Sequence, residues 1–449
     1  MDLLKKIKIE LWVLFLAGLL SLLLAIGTGV LVRQELVGSV KLGIVSKAAL
    51  FLAEVPVNLK KISINDLHTR EQRFLGISGF KGEPLEEETY LLLSKYDGDK
   101  ERSVVELIDL RSFKVKKTWI PDIDQINGLI DTSRPEFEYL GRDKNAKRYR
   151  MFHPFLTEDS GLIFHGSSAL VKIDKNSQLV WQNQDEFHHS IEQDHEGNFW
   201  VPSSIYPYQI DKKYVGLEYG NYVDDAITKV SADGEILFQK SVTNILIENN
   251  LSALIFGLTG KFFMKDPIHL NDIEPVLSDG PHWKQGDLFL SLRHQAMIIL
   301  YRPSTNKIIW KGVGHTSVQH DVDILDDHRI SIFNNNAYYL YNVQDVDGNN
   351  EVVIYDFTTD SYTKYLNESL KQYDVKTITE GRSEILYNGD LSIEEQNYGR
   401  LLFFNKDASL QWQYVNRADN GSVYILNWSR LLYTLEDIKK VRKILEMGN

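Results

Sequence analysis

The run from Val318 to Phe333, VQHDVDILDDHRISIF, constrains the fold more than any other stretch, because its pattern recurs along the chain. His189-Ser190-Ile191-Glu192 is followed, eight positions after its His, by Gly197 and then Phe199-Trp200-Val201. His320-Asp321-Val322-Asp323 is followed at the same distance by His328 and then Ile330-Ser331-Ile332. This spacing predicts a short strand, a turn and a return strand whose residues alternate between two faces. The same template pairs His153 with Gly161 and Leu162-Ile163-Phe164, and Gly381 with Gly389 and Leu391-Ser392-Ile393. Asn271-Asp272-Ile273-Glu274 matches its first half, with a longer turn before Gly286 and Leu288-Phe289-Leu290. The repeats therefore start at His153, His189, Asn271, His320 and Gly381.

A second half-motif follows each hairpin and ends on an aromatic residue. Ala169 to Asp174 runs to Trp181, and Ile298 to Tyr301 runs to Trp310. Looser copies end at Phe238, Tyr365 and Trp412, and an opening copy from Val105 ends at Trp119. Repeated pairs of hairpins, each closed by an aromatic that packs between neighbouring sheets, predict an all-β chain forming a six-bladed β-propeller with about 45 residues per blade. A β-sandwich with chance echoes is the plainer alternative.

From Leu11 to Val32 no residue is charged, a run long enough to cross a hydrocarbon layer as a helix. A cleaved signal peptide competes with that reading, but the run is long for one and no small-x-small site follows it cleanly. Lys5, Lys6 and Lys8 precede the run, which predicts a cytoplasmic N-terminus and a large domain on the far side, although Lys41 and Lys47 follow it. Val37 to Val57 has helical spacing. Near the other end, Thr434 and Asp437 form a capping-box-like start to a helix through Leu435, Ile438, Val441 and Ile444. Its Lys439, Lys440, Arg442 and Lys443 are expected to form a solvated face, with contact to anionic head groups as the alternative. The expected organisation is a cytoplasmic segment (1–10), a transmembrane helix (11–32), a helical or irregular linker (33–84), the propeller (85–430) and a C-terminal helix (431–449).

The chain has no Cys, which removes disulfides, thiolate catalysis and cysteine-bound zinc. Its formal net charge of -12 argues against a nucleic-acid partner.

In a propeller the innermost strands line the axis, so equivalent repeat positions gather around one opening. Three of the five start positions are His. His165 and the pair Arg293-His294 fall at equivalent places on the return strands, bringing more imidazole and a guanidinium fork suited to an oxyanion. A single His at a strand end is usually a structural hydrogen-bonding residue, but that account does not explain why the positions coincide. Several imidazoles with Arg293 and the Asn271 amide point to an anionic ligand. Zinc or a 2-His-1-carboxylate iron site is the competing use of the histidines. Asp321, Asp323, Glu192, Asp272 and Glu274 follow the start positions by one or three residues, and the sequence leaves open which way they face.

At these residues the chain resembles the bacterial arylsulfotransferases, which move a sulfuryl group between phenols without a nucleotide sulfate donor. Gln319-His320-Asp321, Ser291-Leu292-Arg293-His294-Gln295 with the strand to Trp310, His188-His189-Ser190-Ile191 and Asn334-Asn335-Asn336 carry the likeness, which covers about Arg150 to Arg417. The resemblance implies a six-bladed propeller, a periplasmic axial site and a transient sulfohistidine, placed on His320. It implies that His189, His294 and Arg293 hold the sulfuryl oxygens or protonate the departing phenolate. His153, His165, Asn271 and His315 are then expected to contact substrate. No metal or other cofactor is required. The partners implied are an aryl sulfate donor, a hydroxyl acceptor and, through the N-terminal helix, the bacterial inner membrane, which the chain crosses once with its catalytic domain in the periplasm or outside the cell. A non-catalytic propeller that holds an anionic or sulfated glycan, or a protein partner, is the alternative. Two features depart from the family: the Cys pair of well-studied members is absent, and the family's further active-site Arg has no clear counterpart, Lys311 lying near the expected region.

Overall fold

A computed structural model describes residues 10–37, 42–63, 69, 73, 74, 76–211, 222–256, 266–340 and 343–446. Lys5, Lys6 and Lys8 of the expected cytoplasmic segment lie outside these residues, as does Lys41. The chain divides into two compact units, Met1–Asn65 with Asp211–Tyr222, and Asp66–Ile210 with Val223–Asn449.

The first unit holds two helices, α1 (Leu11–Val37) and α2 (Ile44–Ser63). The 27 residues of α1 span about 40 Å at 1.5 Å per residue, enough to cross a membrane. Its Leu11, Trp12, Phe15, Leu20 and Leu24 are exposed, as a membrane anchor or a signal sequence requires. Ser21 and Thr28 donate their hydroxyls to the Ala17 and Leu24 main-chain oxygens at 2.8 and 2.9 Å, so the polar groups of the apolar run are bonded within it. α2 starts later than the spacing from Val37 predicts and carries Pro56 in its interior.

The second unit is an all-β, propeller-like assembly. Sheet I joins Arg430–Leu432, Tyr90–Asp97, Arg102–Asp109 and Lys114–Trp119. Sheet III joins Leu270–Pro275, Leu288–Leu292, Met297–Arg302 and Lys307–Val313. Sheet IV joins Val322–Ile324, Arg329–Asn334, Glu351–Asp356 and Ser361–Tyr365. Sheet V joins Arg382–Ile385, Leu391–Glu395, Arg400–Phe404 and Leu410–Val415, and Gly79–Gly82, from the segment expected as linker, adds a fifth strand. Sheet II is a single eight-stranded sheet running from Phe152–Leu156 to Ile236–Ser241.

The sheets thus comprise four separate blade-like units of four or five strands, where the sequence predicts six equal blades. The difference arises in sheet II. Leu179–Phe187 is nine residues long, and its end pairs onto the next hairpin, Phe187 opposite Ser203 and Glu186 opposite Ser204, so two groups of strands share one ladder.

Sheets III and IV run from a largely buried first strand to an exposed fourth, which orients the first strands inward. Apolar side chains fill the spaces between successive sheets. Leu92 and Val105 of sheet I meet Leu162 and Phe164 of sheet II, Ile227 of sheet II meets Leu290 of sheet III, and Phe289 of sheet III meets Ile332 of sheet IV. Phe333 of sheet IV meets Ile393 of sheet V, and Phe403 of sheet V meets Leu91 of sheet I. Burying each such side chain contributes about 1.5–3 kcal/mol. The closing aromatics act here: Trp310 stacks on Tyr355 of the next sheet at 4.7 Å and donates to its hydroxyl at 3.3 Å.

A polar device links the same first strands. The residue after each start position accepts a main-chain hydrogen from the following repeat: Ser190 Oγ from Ile273 (3.1 Å), Asp272 Oδ2 from Val322 (2.8 Å) and Asp321 Oδ2 from Ser383 (3.1 Å). Arg430–Leu432, near the far end of the sequence, supplies the first strand of sheet I. The helix that follows, Leu435–Glu446, begins with the expected reciprocal cap, Thr434 Oγ1 donating to Asp437 Oδ2 at 2.6 Å and accepting from the Asp437 amide at 3.1 Å. Its basic residues do not form a free solvated face. Lys440 is buried against Glu158 (3.1 Å) and Phe155, Arg442 pairs with Glu88, and Lys443 donates to the Glu158 main-chain oxygen.

Candidate active site

The inward strands gather seven of the chain's 12 histidines: His153, His165, His188, His189, His269, His294 and His320. The centre is His189, whose ring centroid lies 5.0 Å from His188, 5.2 Å from His269 and 6.0 Å from His320. His294 lies 4.5 Å beyond His269. His165 donates from Nε2 to the His189 main-chain oxygen at 2.8 Å and accepts the Ser167 amide hydrogen at Nδ1. His153 packs beside His165 and against Trp428, 3.2 Å between ring centroids.

His153 reaches this place by a different route from the one its spacing predicts. The turn Thr157–Gly161 carries its positive φ at Ser160 (68°), where the turn Asp194–Asn198 carries it at Gly197 (82°), so the first repeat begins one residue earlier. A β-bulge between Phe152 and Phe155 absorbs the difference.

Burial sets the charge of the cluster. It holds His153, His189 and His320 far below the usual imidazole range and His165 down at about 3, with neighbouring imidazoles adding to the effect on His153 and His189. These rings are neutral near pH 7 and keep a lone pair. Burial pulls His188 the same way, but the Asp225 carboxylate, 3.2 Å from Nε2, prevails and its pKa is raised.

His320 is engaged at both nitrogens. Nδ1 faces the Asn335 side-chain oxygen at 2.7 Å, and Nε2 accepts the Glu380 amide hydrogen at 2.9 Å. Asn271 donates to the Gln319 main-chain oxygen at 2.8 Å and leaves its own oxygen buried without a partner. Arg293 donates to the Tyr339 hydroxyl at 2.6 Å and lies 3.5 Å from His294 Nε2, while its Nε is buried and unpartnered. Asn271 Oδ1 and Arg293 Nε are thus an unused acceptor and an unused donor. His315 does not join them, because its ring stacks on Tyr362 of an outer strand at 3.8 Å. Lys311 also stands apart, exposed on the outermost strand of sheet III. A different cation, Lys144, is pushed down to about 8 by burial and then by Arg150, and it acts electrostatically on His165.

The acids that follow the start positions are buried together. Burial and mutual repulsion raise Asp272, Glu274 and Asp323 well above the usual carboxylate range, and Asp321 sits at about 6. Arg382 lies 3.8 Å from Asp321 and from Glu384, and Arg430 forks onto Glu192 at 2.8 and 3.1 Å.

For a metal, Asp266, His269 and His294 each offer one ligand atom within 4.8 Å of the others. The fit is poor. His294 Nδ1 is turned to the Asp266 main-chain oxygen at 2.7 Å, and the Arg293 guanidinium stands at its other nitrogen. A second group, Asp326, Asp327 and His328, lies on a surface turn.

Sequence reasoning missed His269, Asp266, Asp225, Lys144 and Tyr339, which lie on connecting segments or strand edges where the repeat has no register. His188 and Asn335 were visible only as parts of longer motifs.

Residues 153–417 match the family model for arylsulfotransferase (ASST). The chain belongs to the arylsulfotransferase family. The matched span contains every histidine of the cluster. No curated protein matches this arylsulfotransferase-family chain in sequence. Among solved structures it is similar to a protein of unknown function from Bacteroides caccae (11% identity, covering 76% of this chain and 98% of that one, TM-score 0.46). It is also similar to TolB from Acinetobacter baumannii (10%, 87% and 73%, TM-score 0.43) and to virginiamycin B lyase from Staphylococcus aureus (12%, 78% and 99%, TM-score 0.38). Likeness this distant bears on neither substrate nor mechanism.

Proposed function

We propose that this family member transfers a sulfuryl group from an aryl sulfate to a phenolic or other hydroxyl acceptor, in two steps, through an N-sulfo-histidine formed in the imidazole cluster. The observation that carries the reading is the placement of several imidazoles kept neutral by burial beside Arg293, whose Nε is buried and unpartnered. Neutral imidazole is a nucleophile near pH 7, and an unused guanidinium donor suits the oxygens of a sulfate ester. No step requires a metal. We further read sheet II as two blades sharing one ladder, which brings the ring to six. The apolar cluster of Ile163, Leu170, Phe199 and Val201 between its two halves supports this. We read α1 as an anchor in the inner membrane with the catalytic unit on the periplasmic side, supported by the lysines that precede it.

The full chain incubated with 4-nitrophenyl sulfate and phenol is expected to release 4-nitrophenol and form phenyl sulfate. Saturable binding of the donor without release of its phenol would instead establish a non-catalytic binding propeller.

A further inference from the structure

The cluster holds many imidazoles, and hydrogen bonding separates them by what each nitrogen is free to do. A carboxylate only accepts, so Asp225 Oδ1, 3.2 Å from His188 Nε2, fixes the hydrogen of neutral His188 on that nitrogen. The lone pair of His188 is then on Nδ1, which faces Nδ1 of His189 at 2.8 Å. Two lone pairs cannot share that contact, so His189 carries its hydrogen on Nδ1 and its lone pair on Nε2. No hydrogen bond reaches His189 Nε2 among the described residues. In His320 the corresponding lone pair is taken by the Glu380 amide, and in His165 both nitrogens are bonded within the fold.

We infer that His189, rather than His320, carries the sulfuryl group, and that Asp225 and His188 form a proton relay behind it. This rests on the sulfuryl-transfer reading above. The His189 Nε2 lone pair attacks sulfur, the N–S bond forms, and the bond from sulfur to the aryl oxygen breaks with its electron pair leaving on the phenolate. The Nδ1 hydrogen of His189 passes to His188 Nδ1, and the resulting imidazolium is held against the Asp225 carboxylate. In the second step the acceptor oxygen attacks sulfur, the N–S bond breaks, its pair returns to Nε2, and the relay gives the hydrogen back to Nδ1. The proton lost by the acceptor equals the one the phenolate gains, so the cycle balances. His269, hydrogen-bonded through Nδ1 to Asp266 at 2.5 Å and 5.2 Å from the His189 ring, is placed to take the acceptor's proton. His320 becomes a positioning residue that ties sheet IV to the segment before sheet V.

The relay makes a second demand. When His188 is protonated its Nδ1 becomes a donor, which moves the His189 lone pair onto the blocked Nδ1. Activity should therefore fall at acid pH as His188 protonates. Asp225, Glu186 and Asp266 face His188 and raise its pKa, against burial.

The test is rapid quench of the full chain with 4-nitrophenyl sulfate, followed by peptide mapping under alkaline conditions. One added sulfuryl group is expected on the peptide containing His189, persisting in His320→Gln and absent in His189→Ala of wild-type unfolding midpoint. A label on the His320 or His269 peptide, or one surviving in His189→Ala, would overturn the assignment alone. Phenol release without any label would overturn the covalent intermediate, and no phenol release would overturn the sulfuryl-transfer reading itself. Asp225→Asn keeps an acceptor at the same place but removes its charge, so the acid limb of the rate should move to lower pH. An unmoved limb would overturn the relay.

Discussion

Asn335 holds His320 from one side and its neighbour sheet from the other: its side-chain oxygen meets His320 Nδ1 at 2.7 Å, while its amide donates to the Glu380 and Thr377 main-chain oxygens at 2.7 and 3.1 Å. All of this is buried, so each lost bond leaves a polar group without water. Asn335→Ala is expected to cost on the order of 3 kcal/mol in urea unfolding, because three buried bonds are lost together. A loss no larger than that of a surface substitution would show that His320 is positioned by something else.

Arg293 is the guanidinium of the cluster, anchored by Tyr339 and free at Nε. Arg293→Lys should keep a positive charge yet lower turnover of an aryl sulfate by about 100-fold, since one aimed donor to a developing anion is worth roughly that much. Steady-state rates at saturating donor measure it. Restoration of most of the rate by lysine would mean that charge alone suffices.

Asp321 sits at about 6 in the fold, raised by burial and lowered in part by Arg382. A carboxyl whose folded pKa lies above its unfolded value stabilises the fold when protonated, and that contribution is lost as pH rises through about 6. Asp321→Asn retains an acceptor for the Ser383 amide without the charge. The variant should therefore gain stability relative to wild type between pH 5 and pH 8, by about 1 kcal/mol or more. Urea midpoints at the two pH values test this, and an unchanged difference would place the Asp321 pKa outside that window.

Gly399 adopts φ 66°, and a Cβ there would stand 2.0 Å from the Tyr424 main-chain oxygen. Both the backbone region and the space exclude a side chain. Gly399→Ala is expected to destabilise the fold by on the order of 3 kcal/mol, read as a lowered thermal midpoint. A wild-type midpoint would mean that the Val423–Tyr424 segment yields easily.

What the sequence made legible was whatever repeats. His189, His320 and Asn271 share a place on successive first strands, so their convergence follows from period alone. The helix start at Thr434 is equally legible, because a capping box is local chemistry. His315 was misplaced because a connecting segment has no alternation to say which way it turns, and Tyr362 takes its ring. His153 was off by one because a bulge is invisible to a spacing template. The merging of strands into sheet II depends on how far Leu179–Phe187 runs before it bends, a tertiary property. The Asp225 and Asp266 partners lie between repeats, so nothing in the pattern marks them.

The strand Arg430–Leu432 carries a consequence for synthesis. Sheet I receives its innermost strand from residues made more than three hundred positions after its other three, so during translation that sheet waits as an open fan with one unpaired edge. A product ending before residue 430 should remain unlatched and prone to pair with other chains, whatever the quality of the sheets already formed.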